Sequence, residues 1–236
     1  MTTAMVIGAN GGIGAALTAA LAASNRYARV IAAARRRPGA LPHGVEYHPI
    51  DIADPASIER AAARIDTTLG LVIVATGILH DDTSGPERSL RDLDADRLAH
   101  LFAINAIGPA LALRHFAPLL AKDRPATIAC ISARVGSISD NRLGGWYGYR
   151  ASKAALNQIV RTAAIELARS RPQAVCVALH PGTVDTGLSK PFQRGVPPEK
   201  LFAPAYSAER LLAVLDGLTP AQSGRIFAWD GAEIAP

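Results

Sequence analysis

Apolar and polar positions follow two rhythms along this chain. Short runs rich in β-branched and small apolar residues lie at 4–9 (AMVIGA), 29–34 (RVIAAA), 45–51 (VEYHPID), 71–77 (LVIVATG), 127–132 (TIACIS), 174–182 (AVCVALHPG) and 225–231 (RIFAWDG), and each predicts a strand. Longer amphipathic stretches at 13–24, 55–65, about 95–121 and about 150–169 separate them, with apolar residues recurring near the helical period. In ASKAALNQIVRTAAIELARS, small and apolar residues at 151, 154, 155, 159, 163 and 167 share one face, which must pack closely against a neighbour. Strand and helix alternate from end to end, which predicts an α/β fold with a doubly wound parallel sheet covered on both faces. A closed β/α barrel would alternate as well, but its first loop would not need the glycines found here.

No Pro/Ser-rich linker or change of composition divides the 236 residues, so a single domain over 1–236 is expected. A hydrophobic content of 49% with only 5% aromatics points to a well-buried, mainly aliphatic core. The formal charge is +5, yet apart from Arg35, Arg36 and Arg37 the basic residues are scattered, which argues against nucleic acid as a partner. Cys130 and Cys176 sit inside apolar strand runs without a second ligand at metal spacing, so buried, reduced thiols and no metal site are expected. No apolar stretch reaches the ~18 residues of a membrane span. A soluble, cytoplasmic protein is the expectation.

The candidate chemistry concentrates on Tyr149 and Lys153, whose Tyr-x-x-x-Lys spacing places both side chains on one helical face. A free tyrosine has a pKa of about 10, so roughly one in a thousand is ionised at neutral pH. An ammonium ~4 Å away, at an effective dielectric of about 20, contributes roughly 4 kcal/mol or about 3 pKa units. Such a pair would make Tyr149 a proton donor and acceptor near pH 7. By itself the spacing also suits a solvated surface pair.

A second motif opens the chain. The first strand runs into Gly8, Ala9, Asn10, Gly11, Gly12, Ile13 and Gly14, where a helix begins. Gly8 suits a tight turn, Gly12 a close backbone approach to a pyrophosphate, and Gly14 tight helix–strand packing, while amides at the helix start face the anion. After the second strand, Ala34 stands where a carboxylate would read the ribose hydroxyls of NAD, and Arg35 follows. A guanidinium there suits a 2′-phosphate, which favours NADP, with NAD still possible.

These ordered motifs resemble the short-chain dehydrogenase/reductase family over nearly the whole chain, and within it most closely the carbonyl-reductase and C-factor-like branch. The resemblance implies a Rossmann-type fold. It implies that Asp51 with Ile52 after the third strand contacts adenine, and that Ala75, Thr76 and Gly77 form the turn after the fourth strand. It makes Asn105 the catalytic asparagine, Tyr149 and Lys153 the catalytic pair, and Pro181, Gly182, Thr183, Val184 and Thr186 the loop that orients the nicotinamide. In the implied mechanism Tyr149 exchanges a proton with a carbonyl or alcohol oxygen, Lys153 lowers its pKa and holds the ribose, and Asn105 positions a relay water. Homodimers or homotetramers through the helices at about 95–121 and 150–169 are implied too.

The chain departs from that pattern at the serine. Where family members often read Ser-Ser, it reads Ser132-Ala133, and the segment before Tyr149 is long. Ser132 is the first candidate to bond the substrate oxygen, Ser137 the second, with Ser139 as a further substitute and the loss of the role as the remaining alternative. Substrate specificity is expected in the loop at about 187–204. The leading expectation is NADPH-dependent carbonyl reduction, or the reverse alcohol oxidation, of a small and fairly apolar substrate. The alternative is a nucleotide-binding sensor or signalling protein with weak turnover.

Overall fold

The structure, a computed structural model, describes residues 2–80 and 85–236. Chain order gives β1 (Thr3–Ile7), α1 (Gly12–Ala23), β2 (Arg29–Ala34), β3 (Val45–Pro49), α2 (Pro55–Ala63), β4 (Leu69–Val74) and α3 (Ala95–Phe102). A π-helical turn (Ala103–Ile107) joins α3 to α4 (Gly108–Phe116). There follow β5 (Ala126–Ile131), α5 (Tyr147–Ser170), β6 (Ala174–His180), β7 (Thr183–Val184), β8 (Leu201–Phe202), α6 (Pro204–Gly217) and β9 (Ile226–Ala228).

Seven strands form one sheet in the order β3-β2-β1-β4-β5-β6-β9, and every pairing in it is parallel. Successive residues of β1 point to opposite faces. Met5 and Ile7 join Ile58, Phe116 and Leu156 under α2, α4 and α5, while Ala4 and Val6 join Leu17 and Leu211 under α1 and α6. Burial on both faces is the reason these strands read as unbroken apolar runs. Strand order reverses between β1 and β4, and such a switch point opens a crevice at the carboxyl ends of the strands. The doubly wound Rossmann-type sheet expected from the sequence is therefore present.

Three local features differ from the sequence reading. The stretch read as one helix from about 95 to 121 is interrupted by the π-turn, in which the Gly108 amide donates to the Ala103 carbonyl five residues back. Pro109 has no amide hydrogen and so cannot bond the Asn105 carbonyl four residues earlier, and a Cβ on Gly108 would collide with Ile52. Second, α6 is a helix that the strand–helix rhythm of the sequence does not predict; Pro204 in its first turn, with Ala208, Leu211 and Leu215 buried, specifies it. Third, the expected loop at about 187–204 holds 3-10 turns at Lys190–Phe192 and Pro198–Lys200, and at its end β8 pairs with β7.

Both cysteines are free and buried, and burial pushes the Cys130 thiol up to about 12 and raises Cys176 as well. Among the described residues, no helix is long and apolar enough to cross a membrane. The outer faces of α4 and α5 border a groove of about 460 Å³ that includes Leu113, Ala117, Ile159 and Ala163, the surface to which the sequence reading assigned self-association.

Candidate active site

A cavity of about 630 Å³ opens at the carboxyl ends of the strands, and the loops after β1, β4, β5 and β6 all line it. The glycine loop forms one end. Gly8 has φ +93°, and its amide and that of Ala9 both donate to the Ala33 carbonyl, at 2.8 and 3.1 Å. That left-handed turn suits glycine alone, and a Cβ on Gly14 would strike the Gly8 carbonyl, so α1 can start directly against the loop. No side chain caps α1 at Gly11, and Asn10, Gly11, Gly12 and Ile13 face the cavity. An uncapped, glycine-lined helix start is a cradle for a phosphate. Thr186 closes over Gly12, where a Cβ would meet its methyl group.

Arg35 follows β2, exposed, outside the cavity lining. The Asn10 side chain donates to the Arg36 carbonyl at 2.6 Å, which ties the arginine run to the glycine loop. Asp51 and Ile52 also lie outside the cavity lining: the Asp51 carboxylate accepts the Ala53 amide at 3.0 Å, while Ile52 is buried. Ala75, Thr76 and Gly77 line the cavity after β4, and the buried Thr76 hydroxyl has no partner among the described residues. Pro181, Gly182, Thr183, Val184 and Thr186 line it after β6.

Tyr149 and Lys153 enter the same cavity from the first turns of α5. Lys153 is 2% exposed, donates from Nζ to the Ile131 carbonyl at 2.9 Å, and lies 5.8 Å from the centre of the Tyr149 ring. Burial lowers the lysine to about 8 and pushes the tyrosine up to about 12. The expectation of a tyrosine that titrates near pH 7 is therefore corrected: the ammonium bonds the Ile131 carbonyl, and burial raises the phenol.

Asn105 sits in the π-turn, buried, beside the pair. Its amide is held from both ends: Oδ1 accepts the Ile78 amide at 2.9 Å, and Nδ2 donates to the Ile78 carbonyl at 2.9 Å and to Ser152 Oγ at 3.1 Å. Ser152 donates in turn to the Tyr149 carbonyl at 2.9 Å. A Cβ on Gly77 would stand 3.3 Å from Lys153 Nζ and 3.4 Å from Asn105 Oδ1, so this glycine keeps the gap between them open. Gaps of that kind, bordered by a donor and an acceptor, suit a water.

Of the serine candidates, Ser132 alone lines the cavity. Its hydroxyl donates to Asn157 Oδ1 at 2.7 Å, while Asn157 Nδ2 is buried without a partner among the described residues. Half a turn of that amide would make Nδ2 the donor to Ser132 and release the serine proton. Ser137 and Ser139 point instead to the Pro236 carbonyl, at 3.4 and 2.6 Å.

The cavity also contains side chains that the motifs do not single out, and one support lies outside it. His180, at the end of β6, lines the cavity with Nδ1 buried and without a partner among the described residues, and burial lowers it to about 4, so the ring is neutral. Trp146 and Phe192 form an aromatic wall. The support is Glu87: its carboxylate accepts the Gly148 amide at 3.2 Å in the first turn of α5 and lies 3.5 Å from Arg97. Trp146 has φ 53° and ψ 43°, a left-handed conformation that costs a bulky residue roughly 1–2 kcal/mol. The two glycines before it offered the one local hint.

The model of the short chain dehydrogenase family matches residues 2–196. The chain is 33% identical over 237 residues to 1-hydroxy-2-glutathionyl-2-methyl-3-butene dehydrogenase of a Rhodococcus species, covering 98% of each. It is 40% identical over 152 residues to the C-signal protein of Myxococcus xanthus, 64% of this chain and 86% of that protein. Among solved structures, an NADPH-bound carbonyl reductase from chicken fatty liver superposes with a TM-score of 0.86 at 27% identity, covering 100% of this chain and 94% of the other. An NADP-bound family member from Burkholderia multivorans gives 0.82 at 26%, covering 100% and 99%. A family match over most of the chain, on a sheet whose carboxyl edge gathers a glycine cradle and a tyrosine–lysine pair into one cavity, establishes that this protein belongs to the short-chain dehydrogenase/reductase family and is an NAD(P)-dependent oxidoreductase.

Proposed function

We propose that the protein is an NADPH-dependent carbonyl reductase acting on a small, largely apolar aldehyde or ketone. The observation that carries this reading is that Tyr149 and Lys153 face the same cavity as the uncapped glycine loop. The residues fit a dinucleotide: the α1 amides take the pyrophosphate beside Gly12, with Thr186 over that glycine, Gly14 lets α1 start against the loop, and Lys153 in the same cavity holds the nicotinamide ribose. When bound, the reduced nicotinamide supplies a hydride to the carbonyl carbon. The chain's own part is to hold the carbonyl oxygen against Tyr149 and deliver the phenol proton to it as charge develops there. With the tyrosine up near 12 and the lysine near 8, both groups hold their protons at neutral pH, the state required for reduction. The phenolate left on Tyr149 regains a proton that Lys153 gives up, and a water at the gap between Asn105 and Gly77 returns one to Lys153.

Arg35 is the proposed reader of the 2′-phosphate, because Ala34 offers no carboxylate and the run lies beside the glycine loop. Arg35→Ala should weaken NADPH by roughly 1.5–3 kcal/mol, about tenfold to 150-fold, and NADH much less. Titrating both cofactors against wild type and variant checks it, and equal losses would remove the assignment.

Ser132 is the proposed donor to the substrate oxygen once the Asn157 amide has turned. Ser132→Ala should raise the barrier by about 2.7–4 kcal/mol, as loss of one preorganised donor does. Ser137→Ala, outside the cavity, should leave the rate within a fewfold. The reverse pattern in single-turnover rates would place the donor in the inserted loop.

A sensor with weak turnover is the second reading, favoured by the Ser132 proton being committed to Asn157. NADPH oxidation with a panel of aldehydes and ketones, beside direct cofactor binding, separates the two: tight binding without turnover on any member would favour the sensor.

A further inference from the structure

The segment Gly144, Gly145, Trp146 takes three consecutive left-handed residues, φ 64°, 63° and 53°, immediately before α5. Glycine enters this region freely, whereas tryptophan is strained in it. A third glycine would make the same turn with less strain, so the ring and not the backbone accounts for tryptophan here. The turn is held on both sides. Arg150 donates to the carbonyls of Gly145, Gly144 and Val135 at 3.0, 3.2 and 3.3 Å, and the Trp146 amide donates to the Glu87 carbonyl at 2.5 Å.

What this backbone delivers is an indole in the cavity wall. Its centre lies 5.2 Å from the Phe192 ring and 6.3 Å from the Tyr149 ring, at interplanar angles of 59° and 71°. His80 meets Phe192 edge-on at 5.6 Å and 64°. None of these pairs is stacked, so no offset-parallel partner is used up within the cluster, and Trp146 remains only half-buried. Leu79, Val135, Leu188 and Val196 extend the apolar lining, no carboxylate lines the cavity among the described residues, and Arg134, which also lines it, has its charge paired with Asp140 at 3.2 Å.

We propose that Trp146, with Phe192, selects uncharged carbonyl compounds that carry an aromatic ring on the carbonyl carbon, the ring lying against the indole while the oxygen meets Tyr149. This rests on the carbonyl-reductase reading and narrows it to a substrate class. The direct link is positional: the Trp146 and Tyr149 rings are 6.3 Å apart in one cavity, so a group held by one is within reach of the other.

The test compares acetophenone with cyclohexyl methyl ketone, which are similar in size and differ in the π-system. Equilibrium binding to protein saturated with NADP+, where neither ketone can be reduced, should show acetophenone bound roughly twofold to tenfold tighter by wild type. Trp146→Ala and Trp146→Gly should both lose that preference, although Trp146→Gly should melt roughly 2–8 °C above Trp146→Ala because the backbone strain is relieved. Phe192→Leu, outside the strained turn, should reduce the preference too. Equal binding of the two ketones by wild type, or a preference unchanged in the Trp146 and Phe192 variants, would overturn the proposal. Failure of the underlying reading has a different signature: the binding preference persists while neither ketone is turned over with NADPH.

Discussion

Tyr149→Phe is expected to abolish carbonyl reduction, with a loss of roughly 10²–10⁴ in turnover, while NADPH binding changes little. The phenol is 7% exposed and faces the cavity, and the hydrogen bonds that fix this part of α5 run through the Tyr149 carbonyl, Ser152 and Asn105 rather than through its hydroxyl. Removing the hydroxyl therefore leaves the scaffold intact, and thermal unfolding should move by no more than a few degrees. The ring remains and keeps its edge contact with Trp146. The effect must then fall on the chemical step, read as kcat reduced with cofactor affinity preserved. Tyr147, two residues earlier on the same helix, does not line the cavity and is the internal control: Tyr147→Phe should leave the rate within a fewfold. Turnover of Tyr149→Phe within a fewfold of wild type would sink the assignment of the proton donor.

The strands were legible because a parallel sheet buried on both faces needs unbroken apolar runs, and β1, β4, β5 and β6 have them. The glycine loop and the Tyr149–Lys153 spacing were legible because each encodes a local geometry: a left-handed turn at Gly8, and two side chains one helical turn apart. Features set by contacts distant in sequence were not. Glu87 reaches the start of α5 from 61 positions away, and Asn157 meets Ser132 across 25, so no window of sequence contains either pair. The π-turn lay between these cases. Pro109 announces that the Asn105 carbonyl lacks its usual partner, but whether the helix kinks, breaks or widens there depends on Gly108 pressing against Ile52. The Tyr149 pKa belongs with these distant contacts. Spacing puts the ammonium near the phenol, but where Nζ points and how dry the site is are tertiary facts, and here both act against ionisation of the phenol.

Lys153→Met should eliminate turnover, and its stability relative to wild type should be more favourable at neutral pH than at high pH. Burial lowers Lys153 from 10.5 to about 8, so the unfolded chain binds this proton more tightly than the folded one. Unfolding thus takes up a proton between about 8 and 10.5, and the lysine's contribution to stability rises with pH across that window. Below pH 8 both states are protonated and the full cost of the buried charge is present, on the order of 3 kcal/mol. Methionine fills a similar volume and carries no charge, though it leaves the Ile131 carbonyl without the donor it now has at 2.9 Å, a roughly constant penalty at every pH. Cys130, pushed up to about 12 by burial against the pull of Lys153, keeps its proton in the folded state of both proteins across this window, so it largely cancels in the comparison. The stability of Lys153→Met minus that of wild type should accordingly be most favourable below pH 8 and decline by roughly 3 kcal/mol, about 6–12 °C in melting temperature, as pH approaches 10.5. A difference that stays flat from pH 6 to 10.5 would mean the lysine is not desolvated in the free protein. The expected decline would show that the fold holds an ammonium where it weakens the protein, a cost that structure alone does not repay and that the proton chemistry at Tyr149 explains.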